Sequence, residues 1–216
     1  YNYTRDVVSQ VRPDMVQGGN ETDDGMLWDL GKISKNGWKN YVSLANKGYD
    51  AVKSVSSSIP VIIHYSNGGN NSKCRWFFDN YKNNGGKFDA IGLSFYTMWH
   101  GSIADMKGNV TDLKSRYGKP VYIVETAYYW DTNQCGYSGS QVPYPQTQDG
   151  QYQFCQDVRT AAESAGASGI FYWGSHWCQS WKWLTAPGWS NDDASRRSLF
   201  DDDAKATKGI LGLVLQ

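Results

Sequence analysis

The 216 residues predict an α/β fold of the (β/α)8 TIM barrel type, with five of the eight strand units in view. Short apolar runs alternate with amphipathic stretches of helical period, the order that builds a parallel sheet with helices packed against it. Two glutamates, Glu21 and Glu125, fall at the ends of two such runs, and in a parallel barrel all those ends open on one mouth. Aromatic residues make up 15% of the chain, with 10 Trp and 15 Tyr, against 19% charged residues. That balance suits rings stacked on sugar faces, and equally rings filling a large core.

The elements follow in order. A helix over Tyr3 to Val11 opens the chain, and Pro13 separates it from a first strand, Met15 to Gly18. Trp38, Tyr41, Val42, Ala45, Tyr49, Val52 and Val55 recur at intervals of mostly three and four, one apolar face of a second helix. Val61 to His64 is the next strand. Cys74, Phe77, Phe78 and Tyr81 repeat the helical spacing until Gly85 and Gly86 stop it. Ala90 to Phe95 is a strand, and Ile103, Met106, Val110, Leu113 and Tyr117 mark a helix that Gly118 closes as a C-terminal cap. Val121 to Val124, a helix over Gly150 to Ala165 and a strand over Gly169 to Trp173 complete the pattern. Eight units normally need about 250 residues, so three strands are expected to be missing at the N-terminus. Residues 1 to 216 then read as the C-terminal portion of one barrel, without a linker or repeat that marks a second domain.

Charge narrows the partners. Lys plus Arg is 21 and Asp plus Glu is 21, so no net field draws nucleic acid or an anionic membrane. No apolar run is long enough to span a bilayer, and the chain is expected to be soluble. Cys74, Cys135, Cys155 and Cys178 lack the paired spacing of a zinc or redox site, and their even number permits two disulfides. Cys135 and Cys178 follow two different strands and make the favoured pair; four free thiols are the alternative.

Gly19, Asn20 and Glu21 end the first strand, and Glu125 ends the fourth. Sugar hydrolysis needs two such carboxyl groups, one to deliver a proton to the leaving oxygen and one to act on the far side of the bond. Alone, each glutamate reads better as a capping or solvated carboxylate. Together, at one mouth among strand-end aromatics, they point to a glycosidase.

The segment Gln17-Gly-Gly-Asn-Glu21, followed by Gly25-Met-Leu-Trp28, resembles the acid/base motif of glycoside hydrolase family 53, the endo-β-1,4-galactanases. Phe88 to Tyr96 with Trp99-His-Gly101, Ile123 to Tyr128, and Gly169 to Trp173 resemble that family's sixth, seventh and eighth strands, so the visible strands are the fourth to the eighth. The resemblance implies a secreted, extracellular enzyme that hydrolyses β-1,4-galactan, in pectin and type I arabinogalactan, with retention of anomeric configuration. It implies Glu21 as general acid/base and Glu125 as nucleophile. Asn20 would bond the 2-hydroxyl of the sugar, Tyr96 would orient the nucleophile and Trp173 would form the stacking floor, with Trp28 and Trp99 at neighbouring subsites. His64, ending its strand at the same mouth, is a candidate to hold the acid/base. No organic cofactor is implied; a calcium ion occurs in parts of the family, but no ligand set for it is legible here. Gly174, Ser175 and His176 stand where the family usually carries Glu-Pro, which bears on outer subsites. Two other readings remain: a related barrel glycosidase acting on another β-linked glycan, and an inactive galactan-binding fragment.

Overall fold

A computed structural model describes residues 1–132, 142–178 and 192–214. Helix α1 (Asn2–Val11) leads to strand β1 (Val16–Gln17), and an antiparallel hairpin of β2 (Gly25–Met26) and β3 (Gly31–Lys32) precedes the long helix α2 (Ile33–Val55). Next come β4 (Val61–Tyr65), α3 (Asn71–Asn83), β5 (Ala90–Ser94), the one-turn α4 (Thr97–His100) and α5 (Ile103–Tyr117). After these lie β6 (Val121–Thr126), α6 (Gln148–Ser164), β7 (Gly169–Tyr172), α7 (Asp192–Arg196) and α8 (Gly209–Leu213).

The main sheet is five-stranded and parallel, in the order β1-β4-β5-β6-β7. Each strand lies beside the one before it in the chain, with helices between, as successive units of a (β/α)8 barrel do. Among the described residues β1 and β7 each pair on one side only.

The core lies between the sheet and its helices. Ile63, Ile91, Leu93 and Ile123 are at most 1% exposed and share one cluster with Phe77 and Phe78 of α3, Met106 and Leu113 of α5, and Phe154 and Val158 of α6. Phe77 stacks on Tyr65 with ring centroids 4.6 Å apart and meets Trp38 edge-on at 5.4 Å. These are the faces that the intervals of three and four predict. The Asn70 side chain caps α3 by accepting from the Lys73 N–H. A Ser102–Asp105 capping box starts α5, and Gly118, at φ 61, ends it in the left-handed conformation expected of such a cap. Gly37, at φ 74 and ψ 176, breaks α2 near its start, which is why the apolar period of that helix begins at Trp38.

Several boundaries differ from expectation. β5 stops at Ser94 and β7 at Tyr172, so Phe95 and Trp173 belong to the loops that follow. β6 runs on to Thr126, which places Glu125 inside the strand rather than just past it. The hairpin, α4, α7 and α8 are too short to carry a readable period. Cys74 and Cys155 are buried thiols outside any bridge, and burial pushes both up to about 12; the second disulfide that four cysteines permit is therefore not formed. Cys135 lies outside the described residues, and so does its pairing with Cys178. No described helix is long and apolar enough to cross a membrane.

Candidate active site

The turn after β1 presents Glu21 under strain. Gly19 has φ 101, and Glu21 itself sits at φ 42, a region that costs a residue with a side chain on the order of 1–3 kcal/mol. The next strand holds it there. The Glu21 N–H donates to His64 Nδ1 at 3.2 Å, and the Thr22 N–H and hydroxyl both donate to the His64 carbonyl, at 2.9 and 2.8 Å.

His64 is fully buried, and its ring ties the turn to β5. With Nδ1 accepting from Glu21, hydrogen bonding assigns the ring proton to Nε2, which donates to Ser94 Oγ at 2.8 Å. The Ser94 hydroxyl then donates to Glu21 Oε1 at 2.6 Å. One neutral imidazole thus fixes both the backbone and, through Ser94, the carboxyl group of Glu21. Burial, the largest cause, lowers the His64 pKa to about 4. The unfolded chain takes up this proton near pH 6.5, so the contribution of His64 to stability is complete above that pH and is lost as pH falls toward 4. Urea midpoints measured from pH 7 to 4 should therefore fall, and His64→Gln should fall less steeply over that range. An equal slope in both proteins would contradict the neutral, buried ring.

Glu125 owes its direction to a bulge. The β5–β6 register runs Leu93 opposite Ile123 and then Ser94 opposite Glu125, so β6 carries one extra residue. Strict alternation from Tyr122 and Val124 would turn Glu125 toward the helices; the bulge turns it to the side that Ser94 faces. The Tyr96 hydroxyl donates to Glu125 Oε2 at 3.0 Å. Burial raises the Glu125 pKa, the Tyr96 hydrogen bond lowers it, the charge of Glu21 raises it and the charge of Arg197 lowers it, with a net upward shift.

These residues meet in a pocket of about 370 Å³. Asn20, Glu21, Tyr96, Trp99, Glu125 and Trp173, all expected at the mouth, line it together with Ser66, His100 and Arg197. His64 lies behind it. Trp28 does not reach it: the ring is 63% exposed in the β2–β3 loop, its N–H donates to the Asp24 carbonyl at 3.2 Å, and the Lys32 ammonium lies 4.1 Å from its centroid. A larger cavity, about 710 Å³, shares the Trp99 and His100 wall and is lined mainly by polar side chains, Asn67, Asn70, Asp105 and Asn109 among them. Sequence reasoning missed Ser66, Ser94, His100 and Arg197. Ser66 and Ser94 sit at or just beyond ends of expected strands, where position alone gives a signal, and His100 lies within the Trp99-His-Gly101 stretch on α4; Arg197 has no such signal.

A carboxylate oxygen of Glu21, one of Glu125 and a ring nitrogen of His64 lie within 4.8 Å of one another. Two carboxylates and an imidazole do not match the six to eight oxygen ligands that calcium takes. Both nitrogens of the imidazole are also engaged already.

The model of glycosyl hydrolase family 53 matches residues 1–212. An uncharacterized protein in the bgaB 5′ region of Niallia circulans is 39% identical over 202 residues, covering 83% of this chain and 55% of that protein. An arabinogalactan endo-β-1,4-galactanase of Cellvibrio japonicus is 30% identical over 225 residues, covering 92% of this chain and 59% of the enzyme. The solved family 53 catalytic domain of Ignisphaera aggregans superposes with a TM-score of 0.85 at 31% identity, over 100% of this chain and 64% of that one. The chain thus spans between about half and two thirds of the length of these relatives, and its five parallel strands are part of a TIM barrel. The chain belongs to glycosyl hydrolase family 53.

Proposed function

We propose that this protein is an endo-β-1,4-galactanase that hydrolyses the β-1,4-galactosidic bonds of type I arabinogalactan and pectic galactan with retention. The observation that carries the reading is the approach of Glu21 and Glu125, whose nearest oxygens are within 4.8 Å. Retaining enzymes hold their carboxyl groups about 5 to 5.5 Å apart, whereas inverting ones need about 6.5 to 9.5 Å to admit a water. The galactanases among the relatives of this family support the substrate.

In this mechanism Glu21 protonates the leaving glycosidic oxygen while the Glu125 carboxylate attacks the anomeric carbon and forms a glycosyl-enzyme. Glu21, now ionised, takes a proton from water, and that water releases the sugar with its original configuration. Asn20 bonds the sugar 2-hydroxyl, Trp173 supplies the stacking floor, and Trp99 stands where the pocket opens into the larger polar cavity, a path for a continuing chain. The chemistry uses these side chains alone and needs no cofactor. A polymeric substrate places the enzyme outside the cell.

The one-sided pairing of β1 and β7 among the described residues, the longer relatives and an exposed stripe on α1, Tyr3, Val7 and Val11, support a barrel completed by further strands of the same catalytic domain. The test is proton NMR of galactan during the first minutes of digestion. New reducing ends should appear as the β-anomer and only later equilibrate. An initial α-anomer would overturn retention, and galactan left intact would overturn the substrate.

A further inference from the structure

We propose that Arg197 is a positioning residue of this site: its guanidinium keeps Glu125 in the charged form and fixes the planes of the two tryptophans beside it. The proposal rests on the reading of Glu125 as nucleophile. Arg197 is only 6% exposed, yet it lines the pocket with both glutamates. Its guanidinium carbon lies 4.8 Å from the ring centroid of Trp173, 5.6 Å from Trp99, 5.7 Å from Tyr96 and 5.8 Å from Tyr129. A cation ringed by four aromatic side chains is attracted to each of them, so it couples the ring that bonds Glu125 to the rings on which sugars would lie.

The backbone of this segment is fixed with unusual completeness. The Tyr172 hydroxyl donates to the Arg197 carbonyl at 2.7 Å, and the Gln151 amide donates to the Ser198 carbonyl at 2.8 Å. Trp130 donates its backbone N–H to the Arg196 carbonyl and its indole N–H to the Ser195 carbonyl, both at 2.9 Å. The neighbouring Arg196 serves the scaffold, pairing with Asp131 at 3.1 Å and Asp202 at 2.9 Å. A charge carried on a backbone tied to β7, α6 and the loop after β6 needs no reorganisation when the reaction develops charge beside it.

The chemistry requires such an asymmetry. Two carboxyl groups this close must hold different protonation states, one an acid and the other an anion. Among the described residues, the titratable groups that face Glu125 are Tyr96 after β5, Glu21 after β1, the neutral His64 on β4, His100 on α4 and Arg197 after α7. Burial and Glu21 favour the uncharged form of Glu125, whereas the Tyr96 hydrogen bond and the Arg197 cation favour the anion. Of these groups Arg197 is the one that carries a permanent positive charge.

The experiment follows the Glu125 carboxyl carbon by ¹³C NMR titration, assigned by its loss in Glu125→Gln, in the native protein, Arg197→Gln and Arg197→Lys. The pH profile of kcat/KM on galactan is measured alongside. In Arg197→Gln, Glu125 should titrate at higher pH than in the native protein, and the acid limb of kcat/KM should move with it, a loss on the order of tenfold on the acid side. Arg197→Lys keeps the charge and should keep the native titration, while its KM rises severalfold because an ammonium does not replace the flat guanidinium between the tryptophans. Glu125 titrating at the native pH in a folded Arg197→Gln would overturn the proposal. If that variant does not fold, Arg197→Lys decides: a titration displaced from the native one overturns it, and a native titration with a raised KM supports it. The titration needs no turnover, so failure of the galactanase reading and failure of this proposal are separate results.

Discussion

Glu125→Gln is expected to lower kcat/KM on β-1,4-galactan by about 10⁴-fold or more, the scale reached when a nucleophile is removed from its working set. The fold should be untouched. Glutamine has the same shape, and its amide oxygen can still accept from the Tyr96 hydroxyl, which now reaches Glu125 Oε2 at 3.0 Å. Burial raises the Glu125 pKa, so at neutral pH this carboxylate opposes folding, and above the unfolded pKa the neutral amide should leave stability equal or slightly higher. That gain should vanish as pH falls below about 4.3, where the unfolded carboxyl is itself protonated. Galactan hydrolysis followed by reducing-end release, with urea unfolding at pH 7 and pH 4, checks both halves. Native turnover in the variant would remove Glu125 from the mechanism. A large loss of stability at pH 7 would mean that its charge is compensated far better than its surroundings suggest.

The parts of this protein that were legible in its sequence are those that repeat. Apolar residues every three or four positions, as in Cys74, Phe77, Phe78 and Tyr81, bury one helix face and are visible as a period. Gly118 was legible because a left-handed cap favours glycine. The two glutamates were legible from their places at strand ends, helped by the resemblance carried by the residues around them. What stayed hidden depends on departures from regularity. The bulge that turns Glu125 toward the mouth is not marked in the residues before it, because Val121-Tyr-Ile-Val124 is an unbroken run of strand-forming residues that shows no point of insertion. The Ser94 bridge between His64 and Glu21 spans three strands and exists only after they pair. Arg197 follows β7 by a long connection and reaches the pocket because Tyr172, Gln151 and Trp130 hold its segment. Trp28, expected at a neighbouring subsite, is carried by a hairpin outside the pocket of the two glutamates, with its ring exposed, a placement that the motif alone does not reveal.

Replacing Glu21 separates its proton-transfer role from substrate binding. Alanine at this position keeps the left-handed backbone at φ 42, with comparable strain, and keeps the N–H donated to His64, so the change is confined to the carboxyl group and its bond from Ser94. On galactan, whose leaving group is a sugar hydroxyl, loss of the proton donor should lower kcat/KM by roughly 10²- to 10⁴-fold. An aryl galactoside with an acidic phenol leaves without help, so its first step should hold near the native rate and produce a burst of phenol. Turnover should then slow, because no base activates water against the glycosyl-enzyme. Azide needs no base; it should restore turnover in Glu21→Ala by attacking the anomeric carbon and yielding the β-galactosyl azide. Equal losses on galactan and the aryl galactoside, or rescue giving the α-azide, would show that Glu21 is not the acid/base of a retaining reaction.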